Sequence, residues 1–339
     1  MAVNYDVPAL FSELYLKSLS DILTLSDDNI KSVYGSARIG SIGQARFSEK
    51  IPILSFEELS YFVNAFASMG VDFHYTLNSP WTNLLERLPN HKSKIIENIE
   101  FLLKAGIKTF IVANPYLISM IKHICPDSSI VASINMQTSS FFKFDSLLNY
   151  GCSSVVFDRT INRNIHFLKS ITKYSDNYSL LVNSICLFDC PLQQYHANEN
   201  GFRSSLNDIE IDEELYCNQY CNSTLKAQQY NILKSTWIRP EDISRYEEIG
   251  VKNFKIQGRT LESDVLISII RSYLLRKTSD NRLFHIFPGL EYDFPELNNK
   301  LLNTKIDDLN FIDYFFNNKL NCSTDCNSCN HCLKTFNKL

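Results

Sequence analysis

Residues 109–158 read TFIVANPYLISMIKHICPDSSIVASINMQTSSFFKFDSLLNYGCSSVVFD. Three β-rich runs, Thr109–Asn114, Ser129–Asn135 and Ser154–Asp158, alternate here with amphipathic helical stretches. Asn114 ahead of Pro115 reads as a helix N-cap followed by proline at the first helical position. Strand, helix, strand repeated in this way argues for parallel pairing with right-handed crossovers. The same alternation extends outward to Ala2–Pro8, Ser32–Ser36 and Asp72–Asn78 on one side. On the other side it reaches Ser179–Cys186, Leu233–Ile238 and Asn253–Gln257. Ser55 with Glu58 forms a capping box, and Phe56, Leu59, Phe62, Val63 and Phe66 make one apolar stripe ending at Gly70. Pro240 opens a helix over Glu241–Ile249 that Gly250 closes. Even spacing, and no G-x-G-x-x-G turn after an early strand, predict a (β/α)8-like TIM barrel rather than an open doubly wound sheet. Nine strand candidates against the eight a closed barrel needs means that one of them is peripheral.

The barrel should occupy residues 1–276, with an insertion over 187–231. Residues 277–339, with FHIFPGLEYDFPEL and FIDYFF, read as a small C-terminal extension packed on it. Lys plus Arg is 33 and Asp plus Glu is 37, giving a net charge of −4, without the basic excess of a chain built to grip phosphate backbones. No run reaches about 18 apolar residues, so no membrane span is expected. The opening MAVNYDVPAL lacks the basic and apolar regions of a secretory signal, and a cytoplasmic chain is expected, where thiols stay reduced.

Ten cysteines in such a compartment need a reason, and eight of them form two tight groups. In NSICLFDCPLQQYH, Cys186 and Cys190 are spaced C-x3-C, and Cys217 and Cys221 repeat that spacing in YCNQYCNST. Two pairs of thiolates complete either a four-thiolate zinc site or a [4Fe–4S] cubane. The first pair ends a strand, at the face where barrels build their active sites. In the tail, CSTDCNSCNHC carries Cys322, Cys326, Cys329 and Cys332. Its C-x2-C-x2-C portion resembles the bacterial ferredoxin run, which favours a second iron–sulfur cluster and leaves zinc open. Cys322, Cys326 and Cys329 also match the radical S-adenosylmethionine spacing. That motif needs barrel strands after it, and only ten residues follow Cys329. Cys125 and Cys152 sit among apolar residues and read as inert core thiols.

Several segments in order resemble peptidase family U32: VYGSARIG with Phe47-Ser48 after it, HYTLNSPW, IVASINMQTSS, GCSSVVFDRTI and VNSICLFDCPLQQYH. Asp158-Arg159-Thr160 stands where that family often has Arg-Glu. The resemblance implies a barrel with a cysteine-bound [4Fe–4S] cluster, and it carries Cys186 over as a ligand. It also implies either peptide hydrolysis or oxygen-independent hydroxylation, with the hydroxyl oxygen drawn from prephenate.

Asn78, Asn135 with Gln137, Asn183 and His196 would line the mouth as catalytic candidates, although strand exits favour Asn as caps in any case. Arg239, Lys255 and Arg259 follow the late strands, where they are candidates to clamp an anionic group, and Asp158 and Arg159 are further substrate-binding candidates that also read as a simple ion pair. No Ser–His–Asp or HExxH arrangement stands out. The expectation is an iron–sulfur redox enzyme for a small molecule or peptide side chain, supplied by an electron-donor protein. A U32-type peptidase, and a non-catalytic subunit paired with a second family member, are the alternatives.

Overall fold

The computed structural model describes residues 2–38, 43–46, 50–205, 216–317, 322 and 326–339. Eight strands close a parallel barrel in sequence order. They are β1 Asn4–Pro8, β2 Asn29–Gly35, β3 Asp72–Leu77, β4 Thr109–Val112, β5 Ser129–Ala132, β6 Ser154–Val156, β7 Tyr178–Leu181 and β8 Asn253–Lys255. Pairing of β1 with β8, Asn4 opposite Asn253, completes the ring. Of the family-like segments, Ile39, Gly40, Phe47 and Ser48 lie outside the described residues.

Strand side chains divide with a period of two. Val33, Phe110, Val112, Ile130, Ala132 and Val155 face outward into the large apolar layer under the helices. Their neighbours Tyr34, Ile111, Val131 and Val156 form a separate small group, the barrel interior. By the same alternation Asp6, Ser32 and Lys255 point inward, and Ser32 Oγ donates to Asp6 Oδ1 at 2.6 Å. A lysine is therefore placed inside the barrel by register, next to a strand whose other residues serve the core.

The helices of the ring are α1 Glu13–Ile22, α2 Phe56–Ser68, α3 Pro89–Lys104, α4 Pro115–Ile124, α5 Phe141–Asn149 and α6 Ile165–Ser170. Helix α2 begins with the full capping box: Ser55 Oγ accepts from Glu58 N–H at 3.1 Å, and Glu58 accepts from Ser55 N–H at 2.7 Å. Asn114 caps α4, its Oδ1 accepting from Tyr116 N–H at 2.8 Å and Leu117 N–H at 3.3 Å. Replacing Asn114 by Ala should lower the free energy of unfolding by about 1 kcal/mol. A urea midpoint that falls with unchanged slope is the check.

The peripheral ninth candidate is Leu233–Ile238. Its first residues belong to a short helix, and the rest is an extended strip held by irregular contacts and not by a strand ladder, among them Ile238 N–H donating to Val182 O at 2.9 Å and Asn162 Nδ2 donating to Thr236 O at 2.7 Å. Trp237 is fully buried, its Nε1–H donating to Ile232 O at 2.8 Å. Burial against the outer layer gave this strip the apolar composition of a strand.

The insertion after β7 carries α7 Gln193–Ser205 and α8 Tyr216–Ala227, followed by α9 Asn231–Lys234. Next come α10 Ile243–Glu248, ended by Gly250 at φ +91°, and α11 Ser263–Leu274. Pro240 opens a 3-10 turn, Pro240–Asp242, that leads into α10 in place of one continuous helix. Residues beyond 277 pack on this side through Arg239, whose Nη1 donates to Asn303 O at 3.1 Å, and through Trp237, whose ring lies 5.8 Å from Phe311. No helix among the described residues is long and apolar enough to cross a membrane.

Candidate metal centre at the barrel mouth

The chain leaving β7 runs across the C-terminal end of the barrel and carries Cys186 and Cys190. Helix α8 then brings Cys217 and Cys221, which lie on one face because four residues make about one turn. All four sulfurs line one cavity of about 550 Å³ that also opens on the barrel interior. Burial pushes the Cys217 and Cys221 thiols up to about 11, and neighbouring groups add to the effect. Cys217 feels Glu199 and Cys190; Cys221 feels Cys186 and Cys190. Without a cation beside them these two sulfurs are therefore neutral thiols. Ser184 Oγ lies 4.0 Å from Cys186 Sγ and receives Arg159 Nε–H at 3.0 Å.

Among the described residues no three His, Cys, Asp or Glu side chains converge on a single-ion site. A zinc ion bonded at about 2.3 Å would hold its sulfurs roughly 3.8 Å apart. A cubane holds its thiolates at the outer corners of a body of four irons, so its ligands stand further from one another. The four cysteines share this cavity, and either group would draw on the same set of ligands.

The floor of the cavity is cationic. Lys255, 7% exposed, sits with Nζ 3.3 Å from the Tyr34 ring centroid. Burial drives its pKa down to about 7, Asp6 pulls it back up, and Arg259 lowers it further. Arg259 donates Nη1–H to Thr76 Oγ1 at 2.7 Å, and burial and Arg46 lower its pKa. The Nε groups of Arg46 and Arg259 are buried without hydrogen-bond partners. Both side chains also line an adjoining pocket of about 280 Å³ beside Gly35, where an added Cβ would come within 3.1 Å of Ala9 Cβ. Such a basin concentrates positive charge at the base of the cavity.

The predicted mouth residues sort as follows. Asn78, Asn135, Arg159, His196, Lys255 and Arg259 line the cavity with the four cysteines. Asn135 Nδ2 donates to Asn78 O at 2.9 Å, and burial and Arg159 hold His196 below its ordinary pKa. Asn183 instead ties β7 to β8, donating to Gln257 O at 2.9 Å and accepting from Gln257 N–H at 2.7 Å. Asp158 caps its own turn by accepting from Thr160 N–H at 2.9 Å, and receives Gln193 Nε2–H at 2.6 Å. Gln137, in the left-handed region at φ 51°, donates to Gln194 at 3.0 Å outside the cavity. Arg239 is not a substrate clamp: it is 1% exposed and paired with Asp242 at 2.7 Å and Asp307 at 2.6 Å. Tyr34, Arg46 and Gln257 are mouth residues the sequence reading lacked. Arg46 carried no signal, lying in a polar stretch without periodicity, whereas Tyr34 could have been found from its inward register on β2.

One Ser–His–Asp succession does exist, away from this mouth. Ser272 Oγ lies 2.9 Å from His285 Nε2, and His285 Nδ1 lies 3.6 Å from Asp280. Ser272 is 3% exposed within α11 and its hydroxyl donates to Ser268 O at 3.0 Å. A nucleophile must reach a carbonyl carbon, and this hydroxyl faces packed helix.

Three likenesses agree with this barrel. Residues 29–180 match the model of peptidase family U32, a match that spans β2 into β7 and stops short of Cys186. An uncharacterized protease of Methanocaldococcus jannaschii, MJ1657, is 27% identical over 289 residues, covering 84% of this chain and 82% of that protein. The solved structure of the U32 peptidase Mk0906 superposes with a TM-score of 0.52 at 15% identity, covering 76% of this chain and 93% of its own.

Proposed function

We propose that this chain, a U32 family member, is an iron–sulfur redox enzyme whose substrate is an anionic small molecule or peptide side chain bound at the barrel mouth. Cys186, Cys190, Cys217 and Cys221 would hold the cluster, and the reaction would be an oxygen-independent hydroxylation or a related oxidation. The observation that carries this reading is that four thiols from two chain segments and a group of buried cations share one cavity. When bound, the cluster supplies one-electron chemistry to that cavity.

The chain's own residues do the rest. Lys255, Arg259 and Arg46 fix the anionic end of the substrate against the floor. Asn78 and Asn135 also line the cavity, and the amide groups left over from their bonds to Ala45 N–H and Asn78 O would orient a carbonyl or hydroxyl. Leu187, Leu192 and Leu225 exclude water around the sulfurs. Converting C–H to C–OH with oxygen at the level of water releases two electrons and two protons, so the redox partner this reaction requires is an electron-accepting protein, not the donor expected from the sequence.

The names of the relatives favour a second reading, peptide hydrolysis. The same cationic floor would then hold a peptide carboxylate. Among the described contacts, however, the mouth shows no hydroxyl or thiol hydrogen-bonded to the His196 ring.

Anaerobic purification separates the two. The first reading expects brown protein with absorbance near ~400 nm and about four irons lost from the Cys217→Ser/Cys221→Ser variant. Colourless, zinc-loaded protein, or peptide cleavage that survives removal of iron, would select the second.

A further inference from the structure

Behind the mouth lies a cation with no carboxylate beside it among the described residues. Arg163 is 1% exposed. Its Nη1 and Nη2 donate to the carbonyls of Leu233 at 2.5 Å and Ser235 at 3.0 Å, while its buried Nε has no partner. The guanidinium lies over three rings, 4.8 Å from Trp237, 5.0 Å from Phe311 and 4.9 Å from Phe315. Ring faces and carbonyls solvate part of a buried charge, but they do not cancel it.

The tail thiols lie on the far side of those rings. His331 stacks on Phe311 at 5.1 Å and on Tyr314 at 3.8 Å, and the Tyr314 hydroxyl is 3.4 Å from Cys329 Sγ. Cys322 and Cys332 pack against the same apolar layer, and the last helix, His331–Lys338, lies along α9. The Arg163 charge acts on both of these sulfurs, and each also feels Cys326 and Cys329. Cys322 and Cys332 therefore lie within reach of one buried positive charge, and Cys329 borders the ring stack that encloses it.

We propose that Cys322, Cys326, Cys329 and Cys332 hold a second iron–sulfur cluster and that Arg163 is its buried counter-charge. Four thiolates around a cubane leave a net negative group, which a guanidinium enclosed by aromatic rings would balance without a carboxylate. The C-x2-C-x2-C run from Cys326 to Cys332 has the ferredoxin-like spacing, which favours a cubane over zinc. The site needs nothing from the mouth, so it stands or falls separately.

The test uses the full chain, reconstituted anaerobically with ferrous iron and sulfide. The Cys326→Ser/Cys329→Ser variant should lose about four irons with matching sulfide relative to the parent. Asp325→Asn, which changes the acid within the tail sequence, should lose none. Cys217→Ser/Cys221→Ser should leave the tail iron in place even if the mouth proves to bind no cluster. In a redox titration followed by electron paramagnetic resonance, Arg163→Gln should move the tail signal to lower potential, because a positive neighbour favours the reduced state. Arg163→Lys should restore most of the shift. Should Arg163→Gln fail to fold by circular dichroism, the lysine variant and the iron counts decide. Unchanged iron in the tail double variant, zinc in place of iron there, or a potential indifferent to Arg163 would overturn the proposal.

Discussion

Arg239→Met should lower the free energy of unfolding by about 3–5 kcal/mol, the range for removing one partner of a buried ion pair. The Arg239 guanidinium meets Asp242 twice, Nη2 to Oδ1 at 2.7 Å and Nε to Oδ2 at 2.9 Å. Asp242 is 4% exposed, so losing the arginine strands a carboxylate in the interior. The Asn303 carbonyl loses a donor at the same time. Asp307 matters less, since its side chain is 56% exposed and water replaces the contact. The double variant Arg239→Met/Asp242→Leu should recover most of the loss, because it removes both charges and fills their space. A urea-unfolding double-mutant cycle measures this directly. A single-variant loss under about 1 kcal/mol would mean that Arg239 does not tie the C-terminal extension to the barrel.

The same residue shows where reading a sequence succeeds and where it stops. Barrel strands were legible because parallel strands buried on both faces need β-branched runs, and their helices announce themselves through Ser55, Glu58 and Asn114. Leu233–Ile238 shared that composition because Trp237 and Ile238 are equally buried. Composition records burial and not the partner that causes it. Arg239 followed this segment and so looked like a mouth residue. Asp242, three positions on, was the available sign that its charge was already used. The thiols of the mouth were legible from spacing alone, since Cys217 and Cys221 must share a helix face. The floor beneath them was only partly so. Lys255 and Arg259 come from the last strand and its exit, but Arg46 reaches them from a loop whose position only the closed barrel determines. The tail thiols were legible as a group. The positive charge behind them was not, because Arg163 stands far upstream in the chain and meets them only through folded aromatic rings.

Binding of sulfate at the mouth should weaken as pH rises through about 7, by up to tenfold per pH unit in the window that follows. Sulfate keeps its charge throughout, so the change must come from the protein. Lys255 is the group responsible: buried inside the barrel by the register of β8, it titrates near 7. Only its protonated form attracts the anion. A bound anion raises that pKa in turn, so the loss runs from the free value upward until the lysine of the complex also deprotonates. Stability should move in the opposite direction. In the unfolded chain lysine titrates near ~10.4, so between about 7 and ~10.4 the unfolded state holds the extra proton and folding becomes more favourable with rising pH. Below about 7 both states are protonated and this contribution is constant. Lys255→Met should therefore bind sulfate weakly, with little pH dependence, and lose the alkaline gain in stability. Calorimetric titrations from about pH 6 to 9, paired with urea unfolding at each pH, read both slopes. Two opposed slopes that vanish together in one variant cannot come from surface charge, which is screened and shifts little. A flat sulfate affinity in the parent chain would mean that Lys255 does not face the anion, and the cationic floor would lose its central member.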